Sequence, residues 1–402
     1  MIVRKSDLIR RAALVLTILI SGGSLLFPRL PILCAIVLLY LVARNWVLDV
    51  KRQMLFVVIL LAAILLVTIL RPAGASIEST SIRFANFIAG LLMLDLYMQA
   101  GVDAFRRDLY GILHLMAWQA LLTVLIAELF NFLFVPLVVA ETTYSTFLLL
   151  FNYHVMLEDV TSIIRPDGFF YEPGVFQVYL NLFLYLAMFV FRNQWKSVLA
   201  AAAVFSTQST TGVLIGVTIV YVFIATRYLN RGSLRVKVAK VLVACLAIGA
   251  LGLTAASNIK EKTSGDSQGS YWARQYDLLT GLNVIAANPI FGIGFDYDQY
   301  YRASANLGFS DTLLPDRIIR DRGNSNGIVF LLYSIGIPLS IPFFVGMFRQ
   351  RMLADRTLIG VVLILAFFGE SMIFTPFFLM IIFSGLLATR YPFRVPQTLR
   401  EY

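Results

Sequence analysis

Arginine and carboxylate side chains suited to phosphate chemistry gather in two segments of a chain that is otherwise apolar. One is Arg165-Pro-Asp-Gly-Phe-Phe-Tyr-Glu-Pro-Gly174, which runs into an apolar stretch. The other is the polar stretch from about Ser257 to Asn326, which carries Arg274, Arg317, Arg320 and Arg322. A guanidinium offers a planar fork of donors that matches phosphate oxygens two at a time, so Arg165 and Arg274 are candidates for holding a diphosphate. A solvated surface position is the bland reading of each. Glu172 stands just before Pro173 at a helix start. It is either a cap for that helix or an acid/base or orienting carboxylate tuned by partial burial. Arg165, Asp167, Phe169, Phe170 and Tyr171 crowd the same entrance, which makes Tyr171 a candidate for substrate contact. Arg317, Arg320 and Arg322 interleave with Asp316 and Asp321, and local ion pairs account for part of that run. Arg320, Arg322 and Asn326, next to the following apolar stretch, are the residues expected to close a pocket from the loop.

Ser206-Thr-Gln-Ser-Thr-Thr-Gly212 interrupts another apolar stretch. It is either an interfacial turn or a polar lining for sugar hydroxyls, with Gln208 as a binding candidate. Asp95 and Glu128 fall inside apolar runs, where an acid defaults to a functional role such as proton coupling in a transporter. Gly292-Ile-Gly294 follows no strand and lacks a third glycine, so it is a turn and not a nucleotide loop. His114 and His154 form no metal cluster, and Cys34 and Cys245 lie in apolar runs as expected packing residues. No metal and no cofactor is expected. With no cytoplasmic Asp-x-Asp pattern and no soluble nucleotide-binding domain, a sugar donor would have to arrive already attached to a lipid.

The elements that position these groups must cross a bilayer. Of the 402 residues 59% are hydrophobic and only 14% charged, far from the roughly 25% charge of soluble domains. Apolar runs long enough to cross about 30 Å of hydrocarbon recur along the whole chain. They predict an all-α polytopic membrane protein, a single transmembrane domain over 1–402. Twelve spans are expected at about 8–27, 31–48, 53–70, 82–101, 108–134, 173–191, 194–206, 210–229, 236–255, 325–347, 355–374 and 376–389. The seventh and twelfth are short enough to be tilted or to be half-helices buried in protein. Arg4-Lys5 and Arg10-Arg11 before the first run read as a retained signal anchor. With both termini cytoplasmic, inner segments hold twice as many of the 33 basic residues as outer ones, as the positive-inside rule requires. The net charge of +10 then reflects topology and anionic lipid, and no nucleic-acid partner is expected. Two long loops, about 135–172 and 256–324, fall on the outer, periplasmic side and should carry the function. The first contains Phe147–Leu157, expected as an interfacial or re-entrant helix. The second contains an amphipathic helix from Ser270 to Ala287, ended by Asn288-Pro289.

Taken in order, these pieces resemble the superfamily of bacterial O-antigen polymerases and ligases. The residues that carry the resemblance are Arg165–Gly174, Ser206–Gly212, Arg274 followed by Asn288-Pro-Ile-Phe-Gly-Ile-Gly294, and Arg322-Gly-Asn-Ser-Asn-Gly327 leading into Leu331-Leu-Tyr-Ser-Ile-Gly-Ile337. The resemblance covers the chain from Arg165 onward; the first five spans agree only in hydropathy. It implies metal-independent glycosyl transfer between undecaprenyl-diphosphate-linked glycans at the outer leaflet of the bacterial inner membrane. It also implies two arginines at the donor diphosphate, which fall by position on Arg165 and Arg274, with Glu172 as the third catalytic candidate. The ligase branch carries a histidine entering the span after the long loop, where this chain has Gly323-Asn-Ser-Asn326. The expectation is therefore a Wzy-type repeat-unit polymerase of O-antigen or exopolysaccharide, with a chain-length regulator as a possible partner. An O-antigen ligase acting on lipid A core and a flippase for the lipid-linked unit are the alternatives.

Overall fold

A computed structural model describes residues 5–45, 52–70, 77–139, 142–154, 164–229, 268–296, 298–300, 302 and 324–388. The described helices are α1 (Lys5–Gly22), α2 (Arg29–Ala43), α3 (Leu55–Ile69), α4 (Ile77–Ala100), α5 (Val102–Leu129), α6 (Pro173–Tyr185), α7 (Gln194–Ser206), α8 (Thr210–Ile224), α9 (Gln268–Ala287), α10 (Gly327–Arg349), α11 (Arg356–Gly369) and α12 (Pro376–Gly385). Strands β1 (Val135–Val139), β2 (Thr142–Phe147), β3 (Phe151–His154) and β4 (Arg165–Pro166) lie between α5 and α6. The chain is mostly helical, a multi-pass membrane protein in its helix lengths and apolarity. Among the described residues, six helical stretches are long and apolar enough to cross a bilayer: Arg52–Ile69, Ile77–Ala100, Val102–Leu129, Pro173–Val190, Thr210–Arg227 and Gly327–Arg349. The ninth expected span, at 236–255, lies outside the described residues.

Two compact units form, one from Met1–Leu109 with Trp272–Tyr402, the other from Tyr110–Tyr271. In the first, α12 is only ten residues long, about 15 Å, and every one of them is buried. It fits a half-helix buried in protein, one of the two forms its length allowed. Pro376 starts it where no N–H is needed, and the Phe377 N–H finds a partner in Ser21 Oγ of α1 at 2.8 Å, which relieves one orphan donor of the helix end.

α10 is broken at Gly336, whose φ of 78° is left-handed, with Pro338 and Pro342 just beyond. A break of this kind frees backbone groups that hydrocarbon cannot solvate. The Phe291-Gly-Ile-Gly294 turn supplies the partners. The Ile293 N–H donates to Tyr333 O at 2.7 Å, that of Gly294 to Ser334 O at 2.9 Å, and that of Ile337 to Pro289 O at 2.8 Å. A side chain at Gly336 would collide with the Ile290 carbonyl. Two segments that resemble the polymerase and ligase superfamily thus explain each other: the turn splices into the broken helix.

Two buried acids of the first unit each gather several donors. Asp108, at the start of α5, takes Arg10 Nε at 2.8 Å and Arg11 Nε at 2.7 Å, with Tyr97 Oη at 3.3 Å. Asp95 takes Tyr40 Oη at 3.0 Å and Gln99 Nε2 at 2.8 Å, with Arg44 Nε at 3.3 Å. Buried charges persist when paired in this way, so Asp95 acts as a clamp between α2 and α4. Cys34 is exposed on α2 and not packed as expected.

In the second unit, α6 and α8 meet through Gly212, where a side chain would come within 2.9 Å of Gln177 Cβ. The close approach lets Asn181 Nδ2 donate to Gly212 O at 3.0 Å and to Gln177 Oε1 at 2.8 Å. Small residues with interhelical amide bonds are a common way to pack helices inside a bilayer. Glu128 lies in the last turn of α5 and is exposed, which is a helix-end position and not a buried intramembrane acid.

The sheet is the main departure from an all-helical expectation. β1 to β4 form an antiparallel sheet in sequential order. The Phe147–Leu157 segment is not a helix where described: Phe147 ends β2, a tight turn follows with left-handed φ at Leu148 (54°) and Leu149 (58°), and β3 returns. The reason is local. β2 is made of Thr, Tyr, Ser and Phe, types that suit a pleated half-buried surface, and its second edge is taken up by the antiparallel strand Phe151–His154. Gln119 of α5 donates from Nε2 to the Leu150 carbonyl and so anchors that turn.

Candidate active site

The Arg165–Gly174 segment is a strand, a turn and a helix start in succession. Arg165 pairs with His154, and Pro166 with Tyr153, across the β3–β4 ladder. The Asp167 N–H continues that pairing to Asn152 O at 2.9 Å, and Phe170 N–H closes a turn onto Asp167 O at 3.1 Å. The Asn152 amide donates to Gly168 O at 2.8 Å, and Phe170 stacks on Tyr179 of α6 with centroids 5.1 Å apart. The turn is thereby fastened to both sheet and helix.

Residues directly opposite in a ladder share a face, and so do residues two apart on one strand. Tyr144, His154, Arg165 and Asp167 therefore come to one side. Asp167 is completely buried, and both of its carboxylate oxygens lie against His154 Nδ1, at 2.9 and 3.0 Å. Burial, with a smaller contribution from Glu172, pushes the Asp167 carboxyl up, to about 6 once all its neighbours are counted. The hydrogen bond and charge of His154, and the Arg165 guanidinium, pull it back.

Arg165 is half-buried and donates from Nε to Thr207 O at 3.3 Å. That carbonyl belongs to the Ser206–Gly212 run, which forms the α7–α8 turn. Thr207 Oγ1 donates to Val204 O, Ser209 Oγ caps α8 by accepting from Gly212 N–H at 3.3 Å, and Gln208 is half-buried with a left-handed φ of 49°. The run is thus a structured turn whose backbone seats an arginine. Tyr171 is half-buried and its carbonyl accepts from Tyr144 Oη at 3.1 Å.

Glu172 occupies the N-cap position by backbone, since its carbonyl accepts from Val175 and Phe176 N–H, but its side chain makes no capping hydrogen bond. The carboxylate is exposed and not partly buried as expected. Capping by the side chain is excluded as its role. The charge is left to act outward and on Asp167.

Arg274 lies on α9, in the other unit. Its side chain is 47% exposed, and its guanidinium sits 3.8 Å from Glu370 Oε1, beyond hydrogen-bond length. Around it the entry to α10 is tightly knit. Asp277 is buried and accepts from Ser325 N–H at 2.9 Å and Ser325 Oγ at 2.6 Å. The Asn324 amide donates to Asp277 O at 2.6 Å and to Tyr300 Oη at 3.0 Å. Asn326 Oδ1 accepts from Ile328 and Val329 N–H, which makes it the N-cap of α10. Arg317, Arg320 and Arg322 lie outside the described residues.

Sequence reasoning missed His154 as a partner of Asp167, and it missed Glu370. The signals were present: Asp167 is two residues from Arg165, and Glu370 is an acid at the end of an apolar run. His154 could be linked to Asp167 only through the sheet.

No curated protein and no solved structure matches this chain. A family model described as O-antigen ligase matches residues 196–344. The matched stretch holds Arg274 and the splice of the Phe291–Gly294 turn into α10, and it leaves Arg165 and Glu172 outside. Over those residues the chain carries the pattern of that family, consistent with the superfamily of O-antigen polymerases and ligases.

Proposed function

We propose that this protein is a repeat-unit polymerase of the bacterial inner membrane. It transfers a growing glycan from undecaprenyl diphosphate to a sugar hydroxyl of an incoming lipid-linked repeat. The observation that supports the reading is a pair of arginines, Arg165 and Arg274, each set within a motif segment that resembles this superfamily. Arg165 is seated on the Thr207 carbonyl, and Arg274 is half-exposed with Glu370 only at 3.8 Å. A guanidinium is suited to stabilise charge building on a leaving diphosphate, the effect that is usually largest in such transfers. Glu172, exposed at the start of α6, orients the acceptor hydroxyl. Tyr171 and Gln208 are the proposed contacts on the sugar side.

Two observations bear on the alternatives. The stretch entering α10 has asparagine and serine where ligases carry histidine, and those side chains brace Asp277 and cap the helix. This favours the polymerase over the ligase. Transport by proton coupling is disfavoured because Asp95 is clamped by Arg44, Tyr40 and Gln99. The deciding experiment supplies purified protein with lipid-linked repeats, with and without lipid A core, and resolves the products by size. A ladder of repeats on undecaprenyl diphosphate without lipid A is expected. Product that forms only on lipid A would establish a ligase, and repeats moved but never joined would establish a transporter.

A further inference from the structure

Resting on the polymerase reading, we propose that His154 takes the proton of the acceptor hydroxyl, with Asp167 as the residue that positions its ring. Nothing in the resemblance assigns a role to either side chain. His154 ends β3 with its side chain 13% exposed, while the Asp167 side chain beneath it is fully buried. An ionised carboxylate can only accept hydrogen bonds. With both Asp167 oxygens on Nδ1, the ring proton is fixed there and the lone pair is left on Nε2. Nε2 makes no hydrogen bond among the described residues.

The neighbours suit this task. Arg165 lies directly across the ladder from His154 and Tyr144 lies on its other side, so both share its face. Glu172 acts on Asp167 from the head of α6. A proton acceptor thus stands in adjacent register to a guanidinium able to hold the leaving group. This geometry is the arrangement that general-base catalysis requires of an imidazole and its orienting acid.

In the step, the acceptor O–H gives its proton to Nε2 as its oxygen bonds to the anomeric carbon of the donor sugar. The bond from that carbon to the diphosphate oxygen breaks, and its electron pair leaves on undecaprenyl diphosphate, whose charge Arg165 stabilises. The imidazolium, held by Asp167, then returns its proton to water.

The plain alternative is a clamp that fastens β3 to the Asp167 turn. His154→Asn separates the two, because its amide places an N–H where Nδ1 stands and keeps a bond to Asp167 but has no basic lone pair. The expected result with lipid-linked repeats is a fall in kcat of about 100-fold or more, with KM within about twofold and an unchanged Tm in detergent. Near-normal turnover by His154→Asn overturns the proposal, and so does a loss that merely follows a lowered Tm. A wild-type protein that leaves lipid-linked repeats unjoined is a different failure, since it refutes the polymerase reading itself.

Discussion

The buried carboxylates of the two units are held by different kinds of partner. In the first unit, Asp108 is matched by two guanidinium groups and Asp277 by a backbone N–H and a hydroxyl. None of these donors changes its charge near neutral pH, so such acids are fixtures. In the second unit, Asp167 is equally buried but faces an imidazole, whose Nδ1 lies 2.9 Å away. The same residue type is therefore inert scaffold in one place and part of a proton-handling pair in the other. Burial alone does not make an acid functional. The chemistry of its partner does.

Removing a fixture should cost most. Asp108→Ala takes from Arg10, whose side chain is 12% exposed, its buried partner and leaves it Asp7 at 2.8 Å; breaking a buried pair costs about 3–5 kcal/mol. Unfolding in detergent should show that loss; a change under about 0.5 kcal/mol would mean that the cluster is not structural. Arg274→Ala should behave in the opposite way. Its long contact with Glu370 contributes little to stability, so the variant should remain inserted and folded while polymer formation falls by about 10²–10³-fold. Wild-type chain lengths in that variant would remove Arg274 from the mechanism.

The pH dependence sharpens the contrast. Asp167 rises from 3.8 to about 6 on folding. A raised carboxyl contributes stability that is complete below its unfolded value and is lost as pH climbs through the folded one. Stability of the wild type should therefore decline between pH 3.8 and about 6, and Asp167→Asn should lack that slope. Glu172→Gln is the smallest perturbation of the fold. With no side-chain cap to lose, its stability should stay within about 0.5 kcal/mol, whereas its turnover reports whether the exposed charge matters.

Much of the helical frame was legible because period and length follow directly from local chemistry. The α9 helix ends at Ala287 as Asn288-Pro289 required, and the short twelfth run is the buried half-helix that ten residues allow. The sheet was not legible. Phe147-Leu-Leu-Leu-Phe is an apolar run that fits helix or strand alike, and only its partners in β1 and β2 select the strand. Glu172 shows the same limit at a single residue: its N-cap position could be read from Pro173, but not the outward turn of its carboxylate.

By itself the sequence determined that this is a multi-pass membrane chain with Arg165 and Arg274 set in two motif segments, because hydropathy and charge are properties of the residues alone. Only the tertiary structure decided which charges are consumed and which are poised. His154 and Asp167 are 13 residues apart, and the ladder that brings Nδ1 onto a carboxylate depends on strand pairing that no local pattern specifies.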